Sequence, residues 1–287
     1  MSSPIALLLG FSFTLFFKSP LVKYGNKVIQ YLLKIAIVGL GFGMLVVETI
    51  EAGRSSLLLV FLAIALTLAL GYVLGRLFKM DRHLSHLITS GTAICGGSAI
   101  ATMSAIINAK GQTISVALGI VFLLNSLALL IFPSLGNLLN LTQNQFGMWS
   151  AVAIHDTSSA LGAALTYGDE ALEIATTVKL SRTLWIIPLA ILTMIFFKTK
   201  GGKLKIPYFI LLFVGAIALN SFGIVPTEIS NTTVLIAKRL LLLALFLVGT
   251  TLSIKNIKSI GFKPIAFGAL LWLFIAAFSL TYILFRF

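Results

Sequence analysis

Apolar positions in this chain fall in long blocks instead of alternating. The blocks lie near residues 4–17, 28–47, 55–78, 84–107, 113–139, 146–167, 171–197, 206–223, 232–253 and 264–285. Most approach or exceed the ~20 residues a helix needs to cross a hydrocarbon core, and short polar turns separate them. The pattern predicts an all-α polytopic membrane protein of about ten membrane segments. No low-complexity tract or soluble stretch interrupts it, so residues 1–287 read as a single transmembrane domain. The first block lacks a basic leader and a small-residue cleavage site, and reads as a membrane segment instead of a signal peptide.

Composition agrees, with 59% hydrophobic and 10% charged residues and a mean hydropathy of +1.07. No soluble core could hide that much apolar surface. The 21 Lys and Arg against 8 Asp and Glu give a net charge of +13, which invites a nucleic-acid reading. Their distribution excludes it, because they gather in alternate loops. Lys18, Lys23 and Lys27, then Arg76, Lys79 and Arg82, then Lys198, Lys200, Lys203 and Lys205, then Lys255, Lys258 and Lys263 mark the cytoplasmic side. Asp81 is the acid among them. The intervening loops carry Glu48, Glu51 and Arg54, then Asp169, Glu170 and Glu173, then Glu228. This bias predicts a multi-pass protein of a bacterial inner membrane with both termini periplasmic. The single cysteine, Cys95, leaves no intrachain disulfide. His83 and His86 share a helical face without acidic or cysteine partners, so no metal or cofactor is expected and they mark the interface.

Two stretches break the pattern. Thr89 to Ala101 places Gly91, Gly96 and Gly97 among Thr89, Ser90, Thr92 and Ser98 inside an apolar block. Glycine weakens a helix there, and a broken backbone at membrane depth is tolerated where it lines a cavity. The blander alternative is close helix packing, as at Gly71 and Gly75. Ser98 is expected to cap a new half-helix. The second stretch, His155, Asp156, Thr157, Ser158, Ser159, Ala160, Leu161 and Gly162, sets a histidine and a carboxylate beside three hydroxyls. Such groups at depth are costly unless used or paired. Asp156 as a helix cap and His155 at an interface is the competing expectation.

Lys179 and Arg182 lie three residues apart on one helical face. If that helix starts near Glu170, Arg182 sits about 18 Å along it, close to the midplane. Positive charge beside half-helix amino ends favours an anion. On that reading Arg182→Ala removes binding and leaves the fold. Lys238 and Arg239 are shallower and are expected to snorkel. Asn125 and Asn220 read as interhelical hydrogen-bonding groups. A faint repeat, Ser98 to Ala101 before a helix with Pro133 and Ser159 to Gly162 before one with Pro188, suggests inverted repeats of broken or re-entrant segments.

The run Gly91-Thr92-Ala93-Ile94-Cys95-Gly96-Gly97-Ser98-Ala99-Ile100-Ala101 and the stripe Val178-Lys179-Leu180-Ser181-Arg182 resemble the YeiH-type conserved bacterial membrane proteins, often labelled sulfate exporters. The resemblance covers most of the chain, with Asp156 to Ser159 more polar than the family's usual continuation. It implies membership of the wider cation:proton antiporter and anion transporter superfamily, with inverted repeats and discontinuous helices.

The resulting expectation is a secondary transporter, not an enzyme, that carries a small anion such as sulfate, a related sulfur oxyanion or a sulfonate on a proton or sodium gradient. Ser90, Thr92, Gly96, Gly97, Ser98, Thr157, Ser158 and Ser159 form the cradle, Lys179 and Arg182 supply charge, and His155 and Asp156 couple to H+ or Na+. The expected partners are the anion, the coupling ion, the lipid bilayer and a second copy in a homodimer. A different class, an intramembrane serine hydrolase, would use Ser98 as nucleophile, His155 as base and the Gly96 and Gly97 amides as oxyanion hole. A channel or cation carrier is the remaining alternative.

Overall fold

The computed structural model of the protein describes residues 3–16, 25–198, 208–251 and 261–286. Among them every regular element is a helix: α1 (Ser3–Phe16), α2 (Gly25–Gly41), α3 (Val46–Leu77), α4 (Arg82–Ala93), α5 (Gly97–Ile106), α6 (Gly111–Leu138), α7 (Gln143–Ala153), α8 (Thr157–Tyr167), α9 (Asp169–Leu184), α10 (Ile186–Phe197), α11 (Tyr208–Ser221), α12 (Thr227–Thr251) and α13 (Phe262–Arg286). Among the described residues five spans are long and apolar enough, by length and composition, to cross a membrane: Val46–Leu77, Gly111–Leu138, Asp169–Phe197, Thr227–Thr250 and Phe262–Arg286. The segments Ser3–Phe13, Val28–Gly41, Gly97–Ile106 and Phe209–Ser221 are shorter apolar helices. Lys18, Lys23, Lys200, Lys203, Lys205, Lys255, Lys258 and the side chain of Lys27 lie outside the described residues.

The acidic stretches read as loops are instead helical. Glu48 lies in the first turn of α3, Asp169 and Glu170 in that of α9, and Glu228 in that of α12. A carboxylate there faces the positive end of the helix dipole, so the acids extend these helices beyond their apolar blocks. The α9–α10 boundary at Trp185 has a local cause, since Pro188 has no N–H for the Leu184 carbonyl and its ring crowds that position. Lys238 does not snorkel alone, because its Nζ meets Asp169 Oδ1 at 2.6 Å. Asn220 joins elements as expected of it: its Nδ2 donates to the Met44 carbonyl at 3.1 Å and its Oδ1 accepts from Ser230 Oγ at 2.9 Å.

The helices form two groups. One holds α1, α2, α11 and α12, packed side by side, and the other holds α3 to α10 with α13. Within the larger group the Phe132 and Trp149 rings stack at 4.3 Å, and Trp149 Nε1 donates to the Ala276 carbonyl at 3.0 Å, so α6, α7 and α13 are locked together. The groups meet chiefly along α8, where Gly162 lies against Leu245 of α12, with further contacts of α1 on α6 and of α11 on α3.

Small residues set the closest approaches. At Gly71 an added Cβ would come within 2.2 Å of the Thr89 side chain, and at Gly75 within 2.4 Å of that of Ser85, so these α4 side chains lie directly against the α3 backbone. The α1–α12 seam is tighter, with a Cβ on Gly249 falling 2.2 Å from the Leu7 carbonyl oxygen. That neighbour is rigid backbone and cannot yield, which makes glycine the residue that fits. Gly249→Leu is therefore expected to force α1 from α12 and cost about 1–3 kcal/mol. Gly53→Leu, with nothing within 4 Å, should leave the thermal unfolding midpoint in detergent close to wild type; equal melting of the two variants would refute the seam.

Candidate functional site

α4 starts on a proper cap, with Asp81 Oδ1 accepting from Leu84 N at 2.8 Å, and ends at Ala93. Residues 94–96 leave the helix and α5 begins at Gly97. The turn depends on Gly96, whose φ of +65° lies in the region that side chains disfavour. Its N–H donates to the Gly91 carbonyl at 2.9 Å, closing the end of α4. Gly96, not Ser98, is the cap residue of α5, because the positive φ falls there; Ser98 sits in the first turn with an exposed side chain.

The second interruption has the same form. α7 ends at Ala153, residues 154–156 follow, and Asp156 caps α8 by accepting from Ser159 N at 3.2 Å and from Ser158 Oγ. The competing expectation for Asp156, a helix cap, describes its position. His155 is fully buried, and its backbone N–H donates to Asn125 Oδ1 at 3.0 Å. Neither ring nitrogen of His155 has a hydrogen-bond partner, nor has Asn125 Nδ2. Ser98 Oγ is thus not bonded to His155, and the exposed serine and the buried imidazole do not form the nucleophile–base pair a hydrolase would need.

The two interruptions meet. A methyl group on Gly96 would lie 3.4 Å from both Cα and N of Asp156. Both new helix amino ends therefore start at one contact. The first-turn amides of Gly97, Ser98, Thr157 and Ser158 have no carbonyl of their own helix to bond. Gly97 and Thr157 are half-buried, Ser158 and Ser159 are buried, and Asp156 is half-buried. Ser90 and Thr92 are buried on α4 with hydroxyls that lack partners.

The carboxyl ends of α4 and α7 converge on α9, where Lys179 and Arg182 are fully buried. Arg182 Nε donates to the Ala93 carbonyl at 2.9 Å, Nη2 donates to Ala93 at 2.7 Å and Thr92 at 3.1 Å, and Nη1 donates to Val152 and, at 3.5 Å, to Ala151. Lys179 Nζ donates to the carbonyls of Ile154 at 2.5 Å and Ala151 at 3.1 Å. One face of α9 thus answers carbonyls that both interrupted helices leave without intrahelical donors. Those carbonyls carry the negative ends of two helix dipoles, and two cations beside them are electrostatically matched. No acidic side chain pairs with either cation among the described residues. Sequence reasoning missed these partners because they are backbone atoms, whereas Asn125 is the hydrogen-bonding group between elements that its place in an apolar run suggests, holding the His155 amide.

A cavity of about 540 Å³ lies nearby, lined among others by Glu48, Glu51, Glu170, Glu173 and Thr177. No cluster of His, Cys, Asp and Glu among the described residues has metal-binding geometry.

The family described as Conserved hypothetical protein 698 matches residues 2–268. The chain is 44% identical over 288 residues to a UPF0324 membrane protein of Bacteroides thetaiotaomicron, covering 99% of this chain and 87% of the relative. It is 46% identical over 285 residues to a UPF0324 membrane protein of Shewanella oneidensis, covering 99% and 90%. A UPF0324 membrane protein of Geobacter sulfurreducens is 42% identical over 278 residues, covering 96% and 89%. No solved structure matches the chain.

The bonding of Arg182 changes what its removal should do. Arg182→Ala strands carbonyls of Thr92, Ala93 and Val152 in the interior, and a stranded buried polar group costs about 1–3 kcal/mol. The expected loss is at least about 3 kcal/mol, with partial recovery in Arg182→Lys, whose ammonium cannot span both helix ends. Wild-type melting of Arg182→Ala in detergent would show that these bonds contribute nothing.

Proposed function

The chain belongs to the Conserved hypothetical protein 698 family, and from that premise we propose that it is a secondary active transporter for a small anion, with its site where the interruptions of α4–α5 and α7–α8 meet. In this reading each interrupted pair is one discontinuous membrane element, the two are related as inverted repeats, and with the remaining helices they make about ten membrane segments. The protein resides in a bacterial inner membrane with both termini outside.

The observation that carries the proposal is the contact between Gly96 and Asp156. Two helix amino ends with unclaimed amides and adjacent hydroxyls suit a small oxyanion such as sulfate, sulfite, thiosulfate or a sulfonate. Lys179 and Arg182 act on it through the field, since their donors go largely to carbonyls. They offset the carboxyl-end dipoles that would otherwise repel an anion.

Coupling follows from Asp156. Its carboxylate already occupies the amino end of α8, so a second negative charge there is unfavourable until a proton or sodium ion neutralises it. Cation and anion then bind together, and the neutralised site can change sides. Buried His155, with both ring nitrogens unpartnered, is the second protonatable group in the path. The seam along α8 between the two helix groups is where such a movement would occur.

A cation carrier is the second reading, favoured by the four carboxylates lining the cavity beside α3 and α9. The thermal unfolding midpoint of purified protein, measured with sulfate, sulfite, thiosulfate and sulfonates, with and without sodium and across pH, separates the two. The carrier proposal expects one anion to stabilise the wild type by several degrees, more so at lower pH or with sodium. Asp156→Asn, a neutral mimic, should keep the anion response and lose its pH and sodium dependence. Stabilisation by sodium with no response to any anion would replace the proposal with the cation carrier.

A further inference from the structure

A second cavity, of about 980 Å³, opens between α3, α4 and α10. Its walls are largely apolar, from Leu68 and Tyr72 of α3 to Leu189, Leu192 and Phe196 of α10. Ser85, His86, Thr89 and Thr193 also line it, with His86 Nε2 and Thr193 Oγ1 hydrogen-bonded to each other at 3.0 Å, and its cationic side chains, Arg76, Lys79 and Arg82, gather at one end. The Arg76 guanidinium lies 4.4 Å from the centre of the Tyr72 ring, and that of Arg82 4.8 Å and 4.7 Å from the rings of Phe196 and Phe197. Arg82 Nη2 also donates to the Phe196 carbonyl at 3.2 Å. No carboxylate pairs with any of the three among the described residues. Asp81, the acid of that turn, caps α4 instead.

The geometry points to a binding groove for one anionic phospholipid, with its phosphate at Arg76, Lys79 and Arg82 and its acyl chains along the apolar walls. Length favours this occupant. From Leu68 to Leu77 α3 rises about 14 Å, close to the ~15 Å of hydrocarbon in a single leaflet. Polarity favours it as well, because the cationic end coincides with the end of α3 and the apolar part lies toward the middle of the span, the order of headgroup and chain in a bilayer. The amino end of α4 is already occupied by the Asp81 carboxylate, so the phosphate is left to the three cationic side chains. This inference does not depend on the transport reading.

The test compares detergent-purified protein supplemented with phosphatidylglycerol or with phosphatidylcholine, followed by thermal unfolding and by native mass spectrometry of retained lipid. Wild type is expected to retain phosphatidylglycerol and to gain several degrees more from it than from phosphatidylcholine. The double variant Arg76→Gln, Lys79→Gln should lose that difference, and if it does not fold, each single variant should show a smaller loss. Arg82 is left in place because its stacking and hydrogen bond hold α10. Leu192→Trp, which fills the apolar wall without altering charge, should reduce retention of both lipids. Equal stabilisation by the two lipids, an undiminished preference in the double variant, or stronger stabilisation by oleate than by phosphatidylglycerol would overturn the assignment.

Discussion

Two helices that stop inside the protein leave carbonyl groups without donors, and the rest of the arrangement depends on how they are satisfied. Arg182 supplies donors to both ends at once, reaching Ala93 from one side and Val152 from the other. Water could do the same at a surface, but these positions are buried, where an unanswered carbonyl is costly. A guanidinium suits the task because its planar fork presents donors in several directions while its charge meets two negative dipole ends. Lys179, one turn earlier on the same face, adds Ala151 and Ile154. The helix that carries them, α9, is thereby fixed relative to both interruptions.

The opposite ends are organised by a carboxylate. Asp156 holds the start of α8, and its backbone lies against Gly96 at the start of α5. Positive side chains at carboxyl ends and a negative one at amino ends compensate the dipoles in both senses. Without that, the like ends of these short helices would face each other in a low-dielectric interior. Small residues make their close approach sterically possible. Gly96 is required for its backbone angle and for its nearness to Asp156, while Gly162 admits Leu245 where α8 meets α12.

How much of this the sequence carried depends on the kind of atom involved. Block lengths and composition gave the all-helical membrane character, because apolar side chains report burial in lipid directly. The two unusual stretches stood out through glycine clusters and a carboxylate in apolar surroundings, and the helix boundaries do fall at 94–96 and 154–156. The Lys179 and Arg182 stripe was visible through helical spacing. Their partners were not, since a carbonyl has no sequence signature, and charge was therefore assigned directly to a ligand. Ser98 was read as a cap from its type, whereas the sign of φ at Gly96 decided the position. Acidic turns were read as loops because hydropathy cannot distinguish a loop from a polar helix end.

Charge is distributed asymmetrically along α3, and this bears on the carrier reading. Its first turns contribute Glu48 and Glu51 to a cavity shared with Glu170 and Glu173, while its far end contributes Arg76 to the basic groove. Thr49 and Arg76 are about 40 Å apart along the helix, several screening lengths at physiological salt. The two charged regions therefore act independently, each on its own side. An acidic mouth raises the local concentration of cations and lowers that of anions. In the proposed carrier such a mouth favours loading of the coupling ion from its side. A cation held at Asp156 lowers the negative charge that the anion meets at the amino end of α8, so the acidic cavity and the carboxylate act in the same order, cation before anion.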